Sequence, residues 1–352
     1  MPSAAPLILS YTGVSPSFAG PLAYAGAGSA VLGRVTLGRN AWLGALSVIR
    51  ADGHFVRAGD DLHLGARSTL HINHEIHPCI VGDRVTIGEN ACVHACTVGS
   101  DVVVGDGVVI LDGATVEDNV VLEAGATVFP GKTVPGGFLY AGSPAAPVGP
   151  PATGEVAERR ARVVQGRGPD RATAPRATAG DTSDLHPSVF IAGTASVKGR
   201  LIAAEGASVW YSNRFDAGPA AITLGARTNV QDNTVIRCAT PQGVTLGRNS
   251  TVGHNVTIHD CVIGDETLIG IGSTVAEGTV IGDRVLLAAA AKTSPGQVLE
   301  SGWLYAGSPA RQRMPLDEGK LMLTRLIVGL YCQYAQDFKV LERELVRAGA
   351  HG

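Results

Sequence analysis

Aliphatic residues recur every six positions through most of this chain. Val81, Ile87, Val93, Val98, Val104, Ile110, Val116, Leu122, Val128 and Val134 advance by six, with one step of five after Val93. Leu224, Val230 and Ile236, then Leu246, Val252, Ile258, Ile263, Ile269, Val275, Ile281 and Leu287, do the same, and the step of five returns after Ile258. Gly, Asp or Asn commonly follows, as in VGDRVT, IGENAC, LGRNST and IGDRVL. A period of six matches neither the 3.6 of an α-helix nor the 2 of a plain strand. It fits short flat strands joined by tight corners, with one inward aliphatic per step and three steps to a coil. Each coil of such a triangular prism buries its apolar side chains against the next. The Gly residues keep register with the aliphatics, which a flexible Gly-rich tract would not do.

The reading is an all-β chain of two left-handed parallel β-helix domains in tandem, with a C-terminal α-helix. The first domain takes residues 1–150, a short helix and linker 151–184, the second β-helix 185–315 and the amphipathic helix 316–352. The charged stretch Glu155–Gln165 is expected to be helical, and GRGPDRATAPRATAGDTSD from Gly166 has linker composition. After Pro315 the spacing changes: Leu323, Ile327, Leu330, Tyr334, Phe338, Leu341 and Leu345 lie three or four apart, the stripe of a helix packed on a prism face.

Composition agrees. Aromatic residues make up only 5% of the 352 residues and Gly numbers 46, which suits an interior of stacked aliphatics. The net charge of −3, without a long basic run, argues against nucleic-acid binding. No apolar stretch reaches the roughly 20 residues that span a bilayer. The opening MPSAAPLILSYTG lacks the basic region of a signal peptide. The six Cys show no paired spacing and read as free thiols in a cytoplasmic protein.

Two segments of the second repeat carry a resemblance: TNVQDNTVI at Thr228–Ile236 and VGHNVTIHDCVIGD at Val252–Asp265. Together they resemble γ-class carbonic anhydrases, and the likeness extends over both prisms as two diverged copies. It implies one zinc at each interface of a ring, with two His from one prism and one from its neighbour. Setting His71 against Gln231 and His77 against Arg237, 160 residues apart, puts the three ligand positions at His77, Glu89 and His94 in the first copy. In the second they are Arg237, His254 and His259. Neither copy holds three imidazoles.

Counting hexads places His77 and His94 on one edge and His71 with Glu89 on another; in the second copy Arg237 shares an edge with His259, and Gln231 with His254. Facing the two copies as the family faces its subunits assembles His77, His94 and His254, a set that zinc accepts with a fourth position open. The opposite pairing brings Arg237 and His259 to Glu89 and His71, where a guanidinium–carboxylate bridge would stand in for a metal. A homotypic arrangement stays open, in which Glu89 of another chain joins His77 and His94.

The resemblance supplies helpers. Gln231 stands where the family has a Gln that hydrogen-bonds solvent at the metal, and Asn229 where an Asn orients it. Arg50–Asp52 and Arg214–Asp216 stand for its interface Arg and Asp. Gly53 and Ala217 occupy the place of a proton-shuttling Glu found in some members, so fast CO2 hydration is not expected. The expected activity is a zinc lyase or hydrolase that activates water against CO2 or another carbonyl carbon of a small molecule. The expected assembly is a homo-oligomer or an intramolecular domain pair. The alternatives are a hexapeptide-type acyltransferase and a non-catalytic scaffold.

Overall fold

The computed structural model describes residues 5–165 and 183–349, so nearly all of the expected linker from Gly166 lies outside the described residues. The chain divides into two compact units, Met1–Ala174 and Pro175–Gly352, each a left-handed β-helix of parallel strands.

The first unit has three faces. One stacks Trp42–Leu43, His63–Leu64, Thr86–Ile87, Val103–Val104 and Val121–Leu122. The long strand Val48–Ala58 turns a corner and joins the other two, after Ala30–Leu37 in both. Its first part pairs with Thr69–His71, and Cys92–His94, Val109–Ile110 and Thr127–Val128 follow. Its last part pairs with Cys79–Val81, then Thr97–Val98, Thr115–Val116 and Thr133–Val134. The second unit repeats the plan around Arg214–Leu224.

The six-residue step acts as expected. Leu70, Val93, Ile110 and Val128 stack one above another in the core, all buried. Each fully buried aliphatic contributes about 1.5–3 kcal/mol. The residues between them make the corners. The third residue after an inward position takes the left-handed conformation at Asn40, Asp61, Arg84, Asp101 and Asn119, with φ between 55° and 59°. Asn and Asp reach that region at low cost. The first residue after the inward position is often a Gly for want of room. A Cβ at Gly88 would come within 2.3 Å of the Asp106 carboxylate and 2.8 Å of its backbone N.

Helix α1, Glu155–Gln165, lies by the strand Val103–Val104 and is fastened by Arg159, which bridges Glu123 at 2.9 Å and Glu155 at 2.8 Å. Helix α2, Glu318–Gly349, packs along Phe190–Ile191, Ser208–Val209, Asn229–Val230 and Thr251–Val252 in the second unit. Its buried stripe is Val328, Tyr331, Tyr334, Ala335 and Phe338, while Leu323 and Leu345 of the expected stripe are exposed. Aromatic complementarity sets the rotation: Trp210 meets Tyr331 at 5.1 Å and Phe338 at 5.6 Å, both edge to face. Among the described residues no helix is long and apolar enough to cross a membrane.

Candidate metal centre

Strand register decides which side chains share an edge. In the first unit His94 pairs with His71, and His71 with Arg50, so Arg50, His71 and His94 form one column. The expected pairing of His77 with His94 does not hold. It took Ile76 for an inward hexad position, but Ile76 is 64% exposed on the loop between Thr69–His71 and Cys79–Val81. His77 sits on that exposed loop with its ring against Gly113, where an added Cβ would meet its Nε2 at 3.3 Å. Nor does His71 share an edge with Glu89, which is exposed at the next corner and donates its N–H to Asp106 at 2.7 Å.

The two imidazoles of the column lie 5.3 Å apart between ring centroids at an interplanar angle of 64°. Each has its Nδ1 against an oxygen. His71 Nδ1 is 2.7 Å from the Arg50 carbonyl, which can only accept, so that nitrogen carries the proton. His94 Nδ1 is 2.5 Å from Asp112, whose second oxygen accepts the Asn73 amide at 2.6 Å. Burial alone would raise the Asp112 carboxyl. The charge and hydrogen bond of His94, with that of Asn73, outweigh it and hold the group below the ordinary carboxylate range. An ionised Asp112 accepts, so His94 also carries its proton on Nδ1. In the neutral form of each ring the lone pair then lies on Nε2, the tautomer that outer partners impose on ligating His. Arg50 does not compete, because it is wholly buried and ion-paired with Asp52.

The second unit carries a different half. Arg237 pairs with Asp216 on one side and with His259 on the other, so the expected Arg237–His259 edge is present. Asp216 therefore occupies the place of Arg50, and Arg237 that of His71. Arg214 stands in the place of Val48, so the expected match of Arg214–Asp216 to Arg50–Asp52 fails: Phe215 fills the inward slot of Ile49. Asp216 turns instead to Lys198 at 3.1 Å. The units thus align with an offset of 166 residues through His71 and 165 from Cys79 on. The link Ile72–Pro78 is one residue longer than its counterpart Cys238–Gly243, so the expected offset of 160 at His71 and His77 does not hold.

That offset sets His63, Gly65, Ala66 and Glu89 against Asn229, Gln231, Asp232 and His254. His254 is buried, with Nδ1 3.2 Å from Asp232, whose other oxygen accepts the Tyr211 N–H at 3.0 Å. Helix α2 thus supports this edge through the aromatic cluster at Trp210–Tyr211. Asn229 donates to Thr251 at 2.9 Å and accepts from the Gln231 amide at 3.4 Å. Gln231 lies beside Gly253, and His254 follows it. The first unit could not carry that Gln on its present backbone, since a Cβ at Gly65 would fall 2.2 Å from the Gly88 carbonyl oxygen.

The positioning residues Asp112 and Asn73 escaped the sequence reading. Asp112 lies 18 residues beyond His94, one coil of three hexads, and that spacing was the available signal.

Residues 95–130 match a family model described as bacterial transferase hexapeptide (six repeats). Residues 223–259 and 261–290 match the hexapeptide repeat of succinyl-transferase. Protein YrdA of Escherichia coli is 38% identical over 166 residues, covering 44% of this chain and 90% of that protein. The chain belongs to the γ-carbonic anhydrase-like family of hexapeptide-repeat proteins. Gamma carbonic anhydrase 2, mitochondrial, of Arabidopsis thaliana is 30% identical over 154 residues, 42% of this chain. The chain spans little more than half, 55%, of that relative's length. A solved structure described as a putative acetyltransferase from Desulfovibrio desulfuricans G20 aligns with a TM-score of 0.50 and 17% identity, over 87% of this chain and 68% of that one. This γ-carbonic anhydrase-like chain shares the fold alone with it.

Proposed function

We propose that the chain is a zinc-dependent enzyme of the carbonic anhydrase type, acting on CO2 or a related carbonyl compound. His71 and His94 are two of its ligands, and His254, on the edge that a second-unit prism presents, is the third. The observation that carries this reading is the preset tautomer of the first two. Both have Nδ1 against an oxygen, which in the neutral ring puts the lone pair a cation needs on Nε2. Three neutral imidazoles with an open fourth position are the set of a catalytic zinc, which when bound supplies a Lewis acid and brings the pKa of coordinated water to about 7.

The chain's own residues do the rest. Asp112 fixes the ring of His94, and the Arg50 carbonyl fixes that of His71. Asp232 holds His254 against the strand edge. Asn229 accepts one amide proton of Gln231, which leaves the Gln231 carbonyl to receive a hydrogen bond from solvent or substrate. Arg50 and Asp52 neutralise each other beneath the imidazoles, so no bare charge opposes a cation.

Elemental analysis of purified protein is expected to give about one zinc per chain. His71→Ala is expected to remove it and His77→Ala to leave it in place. Retention by the first variant and loss by the second would return the ligand role to His77.

A further inference from the structure

Among the described residues, two guanidinium groups on the Arg237 edge of the second unit make no ion pair. Arg214 is part-buried, and its Nε is shielded from solvent with no hydrogen-bond acceptor. Arg237 makes no ion pair among the described residues, and Asp216 beside it is engaged by Lys198 and by the Gly218 N–H. Burial, and then the charge of Arg237, lower the Arg214 guanidinium from its ordinary value. A part-buried cation left unpaired beside a like charge is disfavoured, and a carboxylate between the two would relieve both. In the first unit an exposed carboxylate is left over in turn. The Glu89 side chain meets no cation among the described residues, and Glu89 occupies the place that His254 holds in the second unit.

We propose that Glu89 of one copy of this chain docks on Arg237 and Arg214 of a second copy, with His259 beside them. The edges that lost their metal ligands would then have become a charge-complementary interface. The inference rests on the functional reading in one respect. The approach that would set His254 against His71 and His94 is the same approach that sets Glu89 against Arg237 and His259. Bidentate Arg–carboxylate geometry would also take up the Arg214 Nε.

The test is a charge swap between chains. Glu89→Arg and Arg237→Glu each set like charges against like, and each alone is expected to weaken self-association at least about ten-fold in sedimentation equilibrium. An equimolar mixture of the two restores opposite charges in both directions and is expected to regain the wild-type mass. Circular dichroism melts identify a variant that merely fails to fold, and the milder Glu89→Gln and Arg237→Gln then replace it with a smaller loss expected. A monomeric wild type, a single variant of unchanged mass, or a mixture that stays dissociated overturns the proposal. Zinc content separates the two readings. Protein without zinc that still passes the mixing test removes only the functional reading; protein with zinc that fails it removes only this one.

Discussion

The column that reads Arg50, His71, His94 in the first unit reads Asp216, Arg237, His259 in the second. Backbone and register are the same, and the chemistry is opposite. In the first unit the arginine is sealed against Asp52, and both imidazoles are aimed by oxygens. In the second, Gly218 stands in the place of Asp52, Lys198 holds Asp216, and Arg237 takes the place of His71. The other edge shows the reverse, with Asn229, Gln231, Asp232 and His254 in the second unit against His63, Gly65, Ala66 and Glu89 in the first. A six-residue repeat needs only its inward aliphatics and corner residues, so the outward positions of two copies are free to diverge. Under the proposed function they divide the labour, each copy carrying the half that the other lacks.

The largest expected difference between the columns is in stability. Arg50→Ala strands the buried Asp52 carboxylate and is expected to cost about 3–5 kcal/mol. Asp216→Ala breaks an ion pair whose Lys198 side chain is 79% exposed, together with one hydrogen bond from the Gly218 N–H, and is expected to cost about 1–2 kcal/mol. Urea unfolding of both variants measures the gap. Equal losses would mean that the two columns are energetically alike.

The next contrast lies in the support of the ligands. Asp112→Ala removes the acceptor that fixes His94 and is expected to weaken zinc binding by about 10–100-fold. Its counterpart one coil beyond His259 is Glu277, which is exposed. Glu277→Ala is expected to leave zinc affinity unchanged. Competition with a chromogenic chelator reads both, and similar losses would erase the distinction between the edges.

These differences were only partly legible in the sequence. The prisms were, because a core aliphatic every six residues and an Asn or Asp at a left-handed corner are local requirements. The helices were too, although the buried stripe of α2 turned on partners far away in sequence, Trp210 and Tyr211. The first-unit register was not, because the loop Ile72–Pro78 carries an exposed Ile76 at hexad spacing, which set His77 in the place of His71. The Arg-x-Asp spacing of Arg214–Asp216 misled in the same way. Only the inward Phe215 shows that Asp216 occupies the site of Arg50. Arg237 and His259 were paired correctly because each directly follows an inward isoleucine, Ile236 and Ile258, in a strand without interruption.

The smallest effect concerns the brace that only the second unit has. Glu342 of α2 accepts the Gly193 N–H at 2.9 Å beneath the aromatic cluster that carries Tyr211 and hence Asp232. Burial pushes its carboxyl up, against the pull of Tyr211 and the Gly193 N–H. A carboxyl whose folded pKa is raised binds its proton more tightly in the native state. Its favourable share is complete below the ordinary carboxylate value and is lost as pH rises through the folded one. Glu342→Gln keeps an acceptor for Gly193 and never ionises. Its melting temperature is therefore expected to exceed that of the wild type by a modest margin at pH 8, with the two curves converging as pH falls below the ordinary carboxylate range. A gap that is constant with pH would assign the change to packing. A gap that widens toward acid would mean that the ionised form is favoured at this position, and that the brace of the second unit works through charge as the column of the first unit does.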